Sequence, residues 1–149
     1  MVIQRIQSLF LLIAVVLMVV FYFTPFGFWE VSDANVTFPV NPLSATDQIA
    51  VLIPLTVAVV LAFVSIFLFR KMSIQKSMVI LSIISVLAAV GVIVYLLTDT
   101  YVDTVSSVSI KPVWGGGALL LVGALIMLVG AYRGILHDQK LLRSYDRLR

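Results

Sequence analysis

The sequence predicts an all-α membrane protein, a four-transmembrane-helix bundle with a small β-element in the outer loops, those after the first and third spans. Its residues are 62% hydrophobic and only 11% charged, a composition outside the usual range of soluble domains. Every Lys and Arg except Lys111 lies on one set of connections between apolar stretches. Four stretches of more than 20 residues contain no Asp, Glu, Lys or Arg: 6–29, 48–69, 77–98 and 112–132.

Each of these stretches is long enough to cross a bilayer as a helix. A span needs about 20 mainly apolar residues, because a helix rises about 1.5 Å per residue and the hydrocarbon layer is about 30 Å thick. A soluble bundle would need a polar face on most of its helices, and a run such as FLLIAVVLMVV offers almost none. We expect one membrane domain over 1–149, with spans at about 6–28, 48–69, 77–98 and 113–133 and an amphipathic cytoplasmic tail at 134–149.

The first stretch also has one feature of a secretory signal, because Arg5 precedes an apolar run near the N-terminus. The run from Leu9 to Phe23 is at the long end for a signal, and the residues TPFGFWE after it contain no small-x-small cleavage pattern. We therefore expect an uncleaved span.

The positions of the cations predict the orientation. Positively charged residues in short loops bias insertion, because they are retained on the cytoplasmic side. One set of connections carries Arg5, Arg70, Lys71, Lys76, Arg133, Lys140, Arg143, Arg147 and Arg149, whereas the other carries Lys111. Both the N-terminus and the C-terminus are therefore expected in the cytoplasm.

The basic tail is the candidate contact surface. On a helix, Arg133, Lys140 and Arg147 recur every seven residues. This face suits the anionic head groups of membrane lipids, at about 1 kcal/mol per cation near the surface, or a partner protein; the plainer interpretation is a topology signal with a solvated helical end. Nucleic acid is not expected, since this topology requires cytoplasmic cations anyway. The candidate lipid or partner contacts are Arg5, Arg133, Lys140, Arg143, Asp146, Arg147 and Arg149.

Small residues in the fourth span predict a helix-packing interface. Glycine allows another backbone to approach closely in lipid, which favours van der Waals packing. Gly116, Gly123 and Gly130 are spaced by seven, and Gly117, Ala124 and Ala131 follow the same register one residue later. The predicted interface consists of Gly116, Gly123, Gly130, Ala124, Ala131 and Gly134, and it packs either within one bundle or against another subunit.

The outer loops favour extended structure. The segment TYVDTVSSVSI is dense in Val, Thr, Tyr and Ile with partial alternation, and VTFPV has a similar character. Pro39 and Pro42 would restrict a strand there to a sheet edge or end it.

The chain offers little catalytic chemistry. It contains no cysteine, and no ionisable side chain falls within the interior of a predicted span, where proton relays and ion-coupled carriers usually place one. His137 beside Asp138 is expected at the surface, because one His and one Asp do not complete a typical metal site. We expect no enzymatic activity, no metal and no cofactor.

The two chain ends resemble a known family. IQRIQSLFLLIA at the start and GILHDQKLLRSYDRLR at the end are similar to the small four-span membrane proteins of Bacteroidota catalogued as domain of unknown function 4293. The similarity covers the whole chain, and IQRIQSL and LLRSYDRLR are its most specific parts. It implies a bacterial inner-membrane protein without an assigned activity, and ends that contact each other or a common partner.

Two functions remain as hypotheses. The favoured one is a non-catalytic accessory or scaffold subunit of a larger inner-membrane assembly. The alternative is a small oligomeric transporter or channel, whose pathway would be lined by Ser, Thr and Gly rather than by charges.

Overall fold

The computed structural model of the protein describes residues 2–33, 36–68, 71–98 and 109–146. Within these ranges it contains four helices that are long and apolar enough to cross a membrane. The predicted four-helix membrane fold is thereby confirmed. The elements are α1 (Val2–Phe23), β1 (Gly27–Asp33), β2 (Val36–Leu43), α2 (Ile49–Phe67), α3 (Met72–Thr98), β3 (Ser109–Trp114) and α4 (Ala118–Asp146).

The helices form a ring in chain order. α1 packs along α4 and α2 packs along α3, while contacts between α1 and α2 and between α3 and α4 complete the ring. A side-chain hydrogen bond joins Gln7 on α1 to Asp138 on α4, so the start of α1 and the end of α4 lie together. We call this end of the bundle the terminal end, and the end that carries the strands the sheet end.

The core lies on the axis of the ring. Leu11, Met18, Leu55, Val86 and Leu128 each have 0% exposure. Large apolar side chains also cover the outward sides of all four helices, where they suit lipid chains rather than water. The outward-facing residues include Leu12, Val16, Ile53, Val60, Ile84, Leu87, Val122 and Ile126.

The expected β-element is a three-stranded antiparallel sheet in the order β2-β1-β3. Gly27 pairs with both Leu43 and Trp114 where the sheet meets the helices. Pro39 and Pro42 lie in the edge strand β2, where a missing N–H is tolerated. Of the segment TYVDTVSSVSI, only Ser109 and Ile110 are among the described residues, and both belong to β3.

The helix ends differ from the predicted span ends. α1 ends at Phe23 rather than near 28, because Pro25 cannot continue the helix and Gly27 already begins β1. α4 continues to Asp146 rather than ending near 133. Hydropathy marks where a chain crosses lipid, whereas a helix continues as long as its backbone hydrogen bonds and side-chain packing persist. The predicted tail is therefore the last part of α4, and Ile135 in it has 0% exposure.

Two glycines before α4 allow direct contact between backbones. The N–H of Gly115 donates to the carbonyl of Phe26 at 2.7 Å, and the N–H of Gly117 donates to the carbonyl of Pro25 at 3.2 Å. A Cβ on Gly117 would lie 2.4 Å from that Pro25 oxygen, whereas a Cβ on Gly116 would meet nothing within 4 Å. The GGG segment thus joins the start of α4 to the end of α1.

We predict that Gly117→Ala destabilises the protein by roughly 1–3 kcal/mol, because the methyl group overlaps backbone atoms that cannot rotate away. The measurement is thermal unfolding in mild detergent, followed by tryptophan fluorescence. Gly116→Ala is the matched control and is expected to unfold at nearly the original temperature. An equal loss in both variants would contradict this account of the contact.

Candidate functional site

Buried polar side chains are concentrated at the terminal end. Gln7 is 5% exposed, Gln75 is 2% exposed and Asp138 is 7% exposed. They come from α1, α3 and α4, and each lies within about 12 Å, two helical turns, of the end of its helix. Among the described side chains, the other buried polar residues are Ser65, which lies two residues before the end of α2 and so also at this end, and Ser82 farther along α3. We take this end of the bundle as the candidate functional site.

A buried hydrogen bond joins the beginning of α1 to the last part of α4. The amide Nε2 of Gln7 donates to the carboxylate Oδ2 of Asp138, across 131 positions of sequence. Gln7 belongs to the IQRIQSL segment at the start of the chain, and Asp138 precedes LLRSYDRLR near its end. A buried donor or acceptor left without a partner costs about 1–3 kcal/mol, so this contact helps to fix the register of α1 on α4.

Glycines on α4 make room for α1. A Cβ on Gly134 would lie 2.8 Å from Cγ of Gln7, one on Gly130 would lie 3.8 Å from the Phe10 ring, and one on Gly123 would lie 3.4 Å from Leu17.

Of the other members of the predicted packing interface, two are buried and one is exposed. Ala124 and Ala131 are fully buried, so five of the six predicted residues lie toward the interior or against α1 of the same chain. Gly116 is exposed, in the turn before α4.

The residues of the candidate contact set lie in different parts of the structure. Arg133 and Lys140 are exposed on α4. Arg5 lies in α1, and Arg143 and Asp146 lie near the end of α4. Arg147 and Arg149 lie outside the described residues.

One further cation at this end contacts an aromatic ring. Lys76 on α3 holds its Nζ 6.0 Å from the centroid of the Tyr132 ring on α4, within the range of a cation–π interaction. This contact joins α3 to α4, as the bond between Gln7 and Asp138 joins α1 to α4.

Sequence reasoning missed Asp138. Its neighbour His137 is exposed, as expected, but Asp138 itself is buried. A signal was present, because the register of Gly117, Ala124 and Ala131 reaches Asp138 after seven more residues. Because the tail is expected in the cytoplasm, its spacing does not by itself predict that Asp138 is buried.

Serine hydroxyls of α2 and α3 are bonded to backbone carbonyls. Ser82 Oγ donates to the carbonyl of Ala58 at 3.0 Å, and Ser85 Oγ donates to that of Pro54 at 2.7 Å, which joins α3 to α2. Ser65 Oγ donates to the carbonyl of Ala62 in its own helix at 2.7 Å. The two bonds from α3 to α2 stabilise the packing of these helices, and the Ser65 bond satisfies its hydroxyl within α2.

A comparison with protein families assigns the chain to one of them. The model of the family described as "Domain of unknown function (DUF4293)" matches residues 3–148, a range that includes both ends of the contact between Gln7 and Asp138. No curated protein matches the chain.

We predict that Asp138→Leu lowers the free energy of unfolding by about 1–3 kcal/mol, because it leaves the buried amide of Gln7 without its acceptor. Gln7→Leu should cost a similar amount. The double variant should lose less than the sum of the two, since neither polar partner remains. Chemical or thermal unfolding of the four proteins in one detergent measures the cycle, and strict additivity would show that the two side chains do not interact.

Proposed function

The chain belongs to the DUF4293 family, whose description names no activity, and we propose that it is a non-catalytic accessory or scaffold subunit of a larger membrane assembly. The observation that carries this proposal is the closed, apolar interior of the bundle. The two following features support it.

The interior offers no polar path among the described side chains. Leu11, Leu55, Val86 and Leu128, one from each helix, are fully buried, and a conducting path would instead need polar or charged lining. The buried hydroxyls of Ser65 and Ser82 are bonded to backbone carbonyls. A single copy is therefore better suited to bind other proteins than to conduct a solute.

The end of α4 supplies an element that a partner can bind. The helix continues eight residues beyond Asp138, to Asp146, which adds about 12 Å of helix past the contact with Gln7. We propose that this extension of α4 contacts another protein. We propose that the partner is another membrane protein, bound through this end and through the lipid-facing sides of the helices.

The same proposal places the protein in the inner membrane of a Bacteroidota bacterium, with both termini in the cytoplasm. The cations at the terminal end support this orientation of the termini. Tyr95 and Trp114, which are 65% and 57% exposed near the sheet end, suit the opposite membrane interface, where amphipathic aromatic rings accumulate.

Single-cysteine labelling tests the orientation directly, because the chain contains no cysteine. Thr46 is exposed at the sheet end and His137 is exposed at the terminal end. We predict that a membrane-impermeant maleimide labels Thr46→Cys in intact spheroplasts, and that it labels His137→Cys only after permeabilisation. The reverse pattern would contradict the proposed orientation.

Purification tests the accessory role. We predict that the tagged full-length chain, extracted from its native membrane in mild detergent, carries a larger membrane protein at a fixed stoichiometry. Mass spectrometry of the complex measures the ratio, and a mock purification of the untagged chain is the control. A self-contained oligomer that moves a solute across liposomes would overturn the proposal in favour of a transporter or channel.

A further inference from the structure

The outward side of α4 changes from apolar to basic at one point. Val122, Ile126 and Val129 are 51%, 63% and 41% exposed, and Arg133 and Lys140 are also exposed. Their spacings of three, four and seven residues place all five on the same side of the helix. This side therefore carries a row of lipid-facing apolar groups that ends in two cations.

The two cations have no acidic neighbour on their side of α4. The sequence contains no Asp or Glu within four residues of Arg133, and Asp138 is the only one within four residues of Lys140. Asp138 is buried and bonded to Gln7 on α1, so its carboxylate points away from the outward side. The positive charge on that side is therefore open to an external anion.

A third cation flanks the same surface from α3. Lys76 holds its ammonium group 6.0 Å from the Tyr132 ring, and Tyr132 precedes Arg133 in the chain. The Lys76 charge thus lies against α4 at the depth where the outward side becomes basic.

We propose that this surface binds an anionic phospholipid, with its acyl chains along Val122, Ile126 and Val129 and its phosphate at Arg133 and Lys140, flanked by Lys76. A phospholipid carries an anionic group directly joined to apolar chains, and so it matches both parts of the surface in one molecule. A water-soluble acidic protein would match only the basic part. The inference depends on the membrane-spanning fold and not on the accessory role.

The test is lipid retention by the full-length chain, measured by native mass spectrometry in detergent with added phosphatidylglycerol or phosphatidylcholine. We expect phosphatidylglycerol to bind more tightly. Arg133→Gln and Lys140→Gln should each weaken phosphatidylglycerol binding about five-fold, with little change for phosphatidylcholine. The matched control is Lys71→Gln, which removes one exposed cation at the same end, in the turn before α3 rather than on α4. Unfolding in detergent without added lipid verifies that each variant is folded.

Three outcomes would overturn the proposal. Equal retention of the two lipids would remove the role of charge, and an equal loss in Lys71→Gln would reduce it to the general positive charge of this end. If Arg133→Gln released a copurifying protein but left phosphatidylglycerol binding unchanged, the surface would belong to that protein. That last result would leave the accessory role standing, so the two proposals can fail separately.

Discussion

The antiparallel contact between α1 and α4 is the constraint on which the other features depend, because these helices lie at opposite ends of the chain and their pairing closes the ring. At the sheet end, Gly117 meets the carbonyl of Pro25. At the terminal end, Gln7 donates to Asp138. The pairing of β1 with β3 follows from the same contact, since β1 comes directly after α1 and β3 directly before α4. In lipid, where apolar side chains gain little by leaving their solvent, such close packing and satisfied polar groups hold helices together.

Much of the fold could be predicted from the sequence, because the thickness of a bilayer imposes a length on every apolar stretch. A small β-element in the outer loops was also predictable from their β-branched and aromatic residues, but the order β2-β1-β3 was not, since it depends on which helices are neighbours. The burial of Asp138 was hidden for a related reason. Average hydropathy assigns the end of α4 to water, whereas the side-chain environment there is determined by α1, more than a hundred residues earlier in the chain.

The glycines of α4 show why spacing alone does not identify a contact. A step of seven residues returns to nearly the same side of a helix, so Gly116 shares a predicted register with Gly123 and Gly130. The helix begins only at Ala118, however, and Gly116 lies in the preceding turn, where the helical register does not apply. Gly117, one residue outside the predicted register, is the glycine at which an added Cβ would lie closest to another backbone, 2.4 Å from the Pro25 oxygen.

The placement of Asp138 also determines what the outward side of α4 can bind. An acid at position 136 would lie four residues from Lys140, and an acid at position 137 would lie four residues from Arg133. Either acid could form an ion pair along the helix. At position 138 the carboxylate instead faces α1, with the width of the helix, about 10 Å, between it and the outward side. Gln7 satisfies the carboxylate by hydrogen bonding without adding a further charge. The same residue that fixes α1 on α4 therefore leaves the outward side without an acid within four residues of either exposed cation. Head-group binding at this surface requires that condition.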